Sequence, residues 1–180
     1  MNDTSSWSWT QKYLNLAKHI SSWSKDPSTK VGAVAVGGHG QILSQGYNGF
    51  PRGIEDSEDR LHDREKKYKY VVHAEMNCIY NATLNGISLN NSDLYVHGLP
   101  VCSDCARGVI QVGVKRVFIC QPAVISPAWH ESYLHTESMF VEAGVEAVCY
   151  DNEGKVLHDT KRKARTHSGN QPVWLGPYAS

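Results

Sequence analysis

No stretch of this sequence approaches the roughly 20 consecutive apolar residues that span a bilayer, so a membrane-embedded protein is not expected. Met1 to Thr10 is polar and Trp-containing, without the basic and apolar segments of a secretory leader, and the expected location is the cytoplasm. Excess charge is missing as well: 18 Lys and Arg balance 18 Asp and Glu. A polynucleotide partner gripped through its phosphates normally requires a basic surplus. A single small anion, such as one nucleotide, needs only a few local donors. The five cysteines (78, 102, 105, 120 and 149) lack the rhythm of a disulfide scaffold. In a cytosolic chain a close Cys pair points to metal or redox chemistry instead. There is no internal repeat, and 180 residues at 41% hydrophobic and 20% charged content suit one globular core.

The patterning that is present alternates helix and strand. Trp9, Tyr13, Leu16, Ala17, Ile20 and Trp23 recur at helical spacing over residues 7–24, and Lys25-Asp26-Pro27 ends that helix. Residues 31–36 and 41–47 form an apolar hairpin around the Gly37–Gly40 turn. Residues 48–70 carry dense mixed charge and read as a solvated loop with a short exposed helix, or as a lid over a ligand. Helices at 74–84, 103–112 and 130–143 then alternate with strands at 93–97, 115–120 and 145–150. The expected fold is α/β, a three-layer αβα sandwich around a mixed five-stranded sheet. Residues 1–158 make the domain, and 159–180 a tail without periodicity, docked through Trp174, Leu175 and Tyr178 or mobile.

Two short motifs carry the chemistry. His73-Ala74-Glu75 and, 29 positions after His73, Cys102-Ser103-Asp104-Cys105 both stand where a predicted helix begins. Positions three apart on a helix share a face, so both sulfurs point one way, and a helix N-terminus favours the thiolate. His73, Cys102 and Cys105 then supply three zinc ligands and leave one tetrahedral position open, which is the catalytic arrangement. Glu75 lies beside the metal without ligating it, placed to move protons between water and substrate. The competing reading is a closed structural site whose fourth ligand is His97 or Cys120; it leaves Glu75 without a purpose.

At these residues the chain resembles the cytidine and deoxycytidylate deaminase superfamily, for which H-x-E followed by P-C-x-x-C is the signature. Within it the chain is most similar to the dCMP deaminase branch. Ser24 to Ala33 (SKDPSTKVGA), Gly46 to Gly53 (GYNGFPRG), Glu75-Met76-Asn77, Cys105-Ala106-Arg107 and Gly113-Val114-Lys115 extend the likeness over residues 8–150. One position departs: Val101 stands between Pro100 and Cys102 where the family has Pro directly before the first Cys.

The resemblance implies one catalytic zinc per chain and hydrolytic deamination of dCMP to dUMP and ammonia, feeding thymidylate synthesis. Glu75 would take the proton of the zinc-activated water, then protonate N3 and the leaving amino group. Asn48 would bind the sugar and the Ala74 N–H the pyrimidine carbonyl, with Ser24, Lys25 and Asn77 toward the 5′-phosphate. The family's homo-oligomeric state and its control by dCTP and dTTP with magnesium would come with it, the effector loop at Gly46, Tyr47, Asn48 and Gly49. Deamination of another nucleotide or of tRNA adenosine, and a non-catalytic zinc module, are the alternatives. Cys78 is expected in helix core, Cys120 and Cys149 as small strand hydrophobes, His19, His130 and His135 at the surface or in satisfied core. Trp7, Trp9 and Trp23 are expected to serve core or subunit packing, and the Lys161–Arg165 run to be solvated.

Overall fold

The computed structural model describes residues 4–161, with side chains from Trp9 onward. The side chain of Trp7 and everything from Arg162 to Ser180, including Trp174, Leu175 and Tyr178, lie outside that description. Helix α1 (Thr4–Ser21) precedes the hairpin β1 (Gly32–Val36) and β2 (Ile42–Tyr47). The charged segment holds two short helices, α2 (Glu58–His62) and α3 (Arg64–Tyr70). Then follow α4 (Ala74–Leu84), β3 (Asp93–His97), α5 (Ser103–Gln111), β4 (Arg116–Cys120), α6 (Pro127–Ala143), β5 (Glu146–Tyr150) and β6 (Val156–Asp159).

The sheet runs β2-β1-β3-β4-β5-β6. β3, β4 and β5 are parallel, and the remaining pairings are antiparallel. The α/β class and mixed sheet match the expectation, but there are six strands rather than five. β6 escapes sequence reading because its inward position is polar. His158 is buried with its Nε2 3.1 Å from Glu137 Oε1 on α6. Just beyond the strand, the Thr160 hydroxyl accepts the Ala147 N–H at 2.9 Å. A buried His in place of an apolar residue leaves the four-residue segment no alternation to detect.

Strand alternation divides the core between the two faces. Val34, Val36, Tyr95 and Tyr150 meet Leu14, Ala17 and Ile20 of α1. On the other face Ala33, Ala35, Leu94, Val96, Val117 and Ile119 meet α4, α5 and α6 through Cys78, Val109 and Phe140. β1 is buried along its whole length because helices press it from both sides. Trp9 and Trp23 are 57% and 48% exposed, so neither is a core residue. Among the described residues no helix is long and apolar enough to cross a membrane.

Helix α4, whose first turn carries Glu75, lies so close to β2 that only glycine fits between them. A Cβ on Gly46 would stand 2.3 Å from the Cys78 nitrogen and 2.4 Å from the Ala74 oxygen, both backbone atoms that cannot swing away. This gives Gly46 a packing role independent of any effector. Gly46→Ala should therefore destabilise the domain by roughly 3 kcal/mol, read as a lower urea midpoint. An unchanged midpoint would show that α4 can move off the sheet.

Candidate active site

Both motifs sit at helix starts, as expected. His73 is the N-cap of α4 (φ −69°, ψ 157°) and Cys102 the N-cap of α5 (φ −77°, ψ 164°). The extended backbone at each cap turns its side chain back across the helix mouth, and the Cys102 Sγ accepts the Cys105 N–H at 3.5 Å. His73 Nδ1 lies 3.4 Å from the sulfur of Cys102 and 3.4 Å from that of Cys105. Ligands placed tetrahedrally around zinc at its usual nitrogen and sulfur distances are roughly 3.5 Å apart. The donor set therefore fits one zinc ion without rearrangement, and among the described residues it is the one His, Cys and carboxylate group of three or more so gathered.

A fourth ligand from His97 or Cys120 does not arise. Both belong to strand positions on the α1 face, and Lys18 of α1 acts on each of them. The metal cluster lies on the other side of the sheet, with Cys102 and Cys105 in the core beneath α4 and α5. Cys78 and Cys149 are buried, as expected.

Glu75 occupies the second position of α4 and is only 3% exposed. Burial, reinforced by the negative charge on Cys102, pushes its carboxyl up to about 7. A group so placed gives and takes protons with equal ease near neutrality. Cys102 is pushed down by the neighbouring Cys105 thiol and by His73. Cys105 is raised, because its proton is shared with Cys102 and burial opposes a second thiolate. The Cys102 contact raises His73 in turn. Two sulfurs and a carboxylate crowded at two helix N-termini form a site that a divalent cation completes electrostatically.

A cleft opens beside this cluster, bordered by His73 and Glu75. Val31, Ala74, Glu75, Leu99 and Pro100 line it, together with Lys67, Tyr68 and Trp129. Ala74 is the first residue of α4, so its N–H has no acceptor within the helix. Asn48 also borders the cleft, but its amide is already engaged: Oδ1 accepts the Val31 N–H at 2.8 Å and Nδ2 donates to the Thr29 oxygen at 2.9 Å.

Three of the expected contacts lie elsewhere. Ser24 is buried and donates its hydroxyl to the Asn48 oxygen at 2.7 Å. Lys25 pairs with Asp56 at 2.7 Å on the surface. Asn77 donates to the Tyr47 oxygen at 2.8 Å, bracing the hairpin. The cation that does line the cleft is Lys67, only 8% exposed, its ammonium 3.0 Å from Asp26 Oδ1 and 2.5 Å from Ser28 Oγ. Burial pushes the Asp26 carboxyl up, but the Ser28 and Thr29 N–H groups, the Ser28 hydroxyl and Lys67 outweigh it and hold the group below its ordinary value. Lys67 is hidden in sequence by the surrounding charge run, and Trp129 by a segment that reads as loop. Of the expected effector loop, Gly46, Tyr47 and Gly49 border a separate groove with Trp23, Phe50 and Arg52, whereas Asn48 borders the cleft.

Comparison with known proteins agrees with this geometry. Residues 7–121 match the profile of the cytidine and deoxycytidylate deaminase zinc-binding region. A protein of Aliivibrio fischeri described as an uncharacterized deaminase in luxG 3'region is 40% identical over 139 residues, 77% of this chain and 90% of that one. The deoxycytidylate deaminase of Mus musculus is 35% identical over 147 residues, 76% of each chain. The crystal structure of dCMP deaminase from the cyanophage S-TIM5 in complex with dCMP and dUMP superposes with a TM-score of 0.61 at 27% identity, covering 77% of this chain and 94% of that one.

Proposed function

The chain belongs to the cytidine and deoxycytidylate deaminase family, and from that membership we propose that it hydrolyses dCMP to dUMP and ammonia, acting on free nucleotide in the cytoplasm. The observation that carries the reading is the convergence of His73, Cys102 and Cys105 beside a buried Glu75, in a cleft that Asn48, Lys67 and Ala74 also border.

His73 Nδ1 and the two sulfurs would hold one zinc ion, which supplies the Lewis acidity that makes water a nucleophile near neutral pH. Glu75 takes a proton from the attacking water as its oxygen bonds to C4. The carboxyl passes that proton to ring N3, then takes the proton of the new C4 hydroxyl and hands it to the departing amino group. Ammonia leaves, the C4 carbonyl forms, and no bond to the protein is made. The Ala74 N–H donates to the pyrimidine carbonyl and fixes the ring's orientation. Asn48 retains a lone pair on Oδ1 for a sugar hydroxyl.

The phosphate falls to Lys67 rather than to Ser24, Lys25 or Asn77, because Lys67 is the ammonium that reaches the cleft. Regulation by dCTP and dTTP with magnesium, and assembly into a homo-oligomer, extend the proposal. The groove at Tyr47 and Arg52 supports the first by offering aromatic rings and a guanidinium to a nucleotide.

Ammonia release from dCMP, dCTP, deoxycytidine, CMP and a short tRNA stem tests the reading. dCMP should be the best substrate; turnover of the free nucleoside alone would overturn it. In Lys67→Met the KM for dCMP should rise by about 10- to 150-fold, the range for losing a hydrogen bond to a charged group. Any activity on deoxycytidine should stay as it was, which separates a lost phosphate contact from a damaged fold. Equal losses on both substrates would remove Lys67 from the phosphate side.

A further inference from the structure

We propose that Trp129 is the specificity wall of the reaction: its indole closes the cleft over the pyrimidine, and α6 is fastened to the metal loop so as to hold it there. The proposal rests on the reading of the cleft as a nucleotide site.

Trp129 lies in the first turn of α6, where Ser126 caps the helix and accepts the Trp129 N–H at 3.5 Å. Its ring centroid is 6.4 Å from that of His73, tilted by 39°. The side chain borders the inner cleft and also a broader outer basin that contains Arg64, Met76 and Asp104. Trp129 is therefore the partition between the two spaces on the α6 side, and Tyr68 faces both spaces from α3.

The fastening explains why the partition is firm. The Ser132 hydroxyl accepts the Ser103 N–H at 3.0 Å, and the Thr136 hydroxyl donates to the Val101 oxygen at 2.9 Å. Residues 101 and 103 flank the ligand Cys102. Positions 129, 132 and 136 recur at helical spacing and share one face of α6. The face stitched to the metal loop is thus the face that carries Trp129. Val101, where the chain departs from the family's Pro, is fully buried and supplies one of the two stitches.

An indole at that place offers a flat, polarisable surface to a six-membered ring whose C4 must sit beside Glu75. Such stacking favours a base over water, and the wall's position limits how large that base can be. Truncation to Ala would merge the cleft with the basin.

In zinc-loaded enzyme, Trp129→Ala should raise the KM for dCMP by roughly 10- to 100-fold, with zinc content unchanged. Trp129→Phe should stay within about fivefold of the native enzyme, since a ring remains. Ser132→Ala, which touches no nucleotide, should raise KM in the same direction by a smaller factor and leave the metal in place. Titration with dUMP should quench the native tryptophan fluorescence, and that change should vanish in Trp129→Phe. An unchanged KM in Trp129→Ala, or an equal dUMP affinity in native and Trp129→Ala protein, would overturn the wall alone. Failure of the native protein to bind either dCMP or dUMP would overturn the nucleotide reading beneath it.

Discussion

Glu75→Gln is expected to keep its zinc and lose its turnover, with kcat falling by about 10²- to 10⁴-fold. The substitution changes little besides the proton. Glu75 follows an N-cap residue in an intact helix start, and its side chain is not among the three donors that converge on the metal position. Glutamine has the same length and fills the same buried space, so the packing of α4 against β2 is undisturbed. What it cannot do is accept a proton from water and return it to the ring and the leaving amine. Metal analysis beside steady-state kinetics checks both halves. A variant that keeps zinc and stays within about tenfold of native kcat would remove Glu75 from the proton path and leave the chemistry to the metal alone.

The residues that make this prediction possible were legible because their signals are local. His73-Ala74-Glu75 and Cys102 to Cys105 each combine an extended cap with a helix start, and the helices at Ala74 and Ser103 begin where the pattern places them. Lys67 was not legible. It sits among exposed charges in sequence, and its burial is caused by Asp26, 41 positions away, which reads only as part of a turn. Trp129 left a usable trace that the apolar pattern overshadowed: Ser126 followed by Pro127 is a cap with proline at the first helical position, and it starts α6 three residues before the expected 130. The assignments of Ser24, Lys25 and Asn77 came from resemblance, and each of these side chains is occupied by a neighbour. A motif locates a segment well, but which side chain of that segment faces the ligand depends on contacts made from distant parts of the chain.

Cys105→Ser should separate metal holding from catalysis in the opposite way to Glu75→Gln. Cys105 is 1% exposed, and its sulfur stands 3.4 Å from His73 Nδ1, where a shared cation would sit. A hydroxyl at that place keeps the volume nearly constant but is a far poorer zinc donor than a thiolate. Zinc affinity should fall by more than about 100-fold, beyond what losing a mere supporting partner costs, and turnover should be lost with it. Stability supplies a readout independent of activity. Zinc at about a thousand times its dissociation constant stabilises a folded site by about 4 kcal/mol, which for a domain of this size is a rise in Tm of roughly 8–16 °C. The native protein stripped with a chelator should show that rise when zinc is restored; Cys105→Ser should show little of it. Glu75→Gln should respond like the native protein. If Cys105→Ser gained the same zinc-dependent Tm, the cation would have to be held by groups other than the His73, Cys102 and Cys105 triangle, and the placement of water against Glu75 would fall with it.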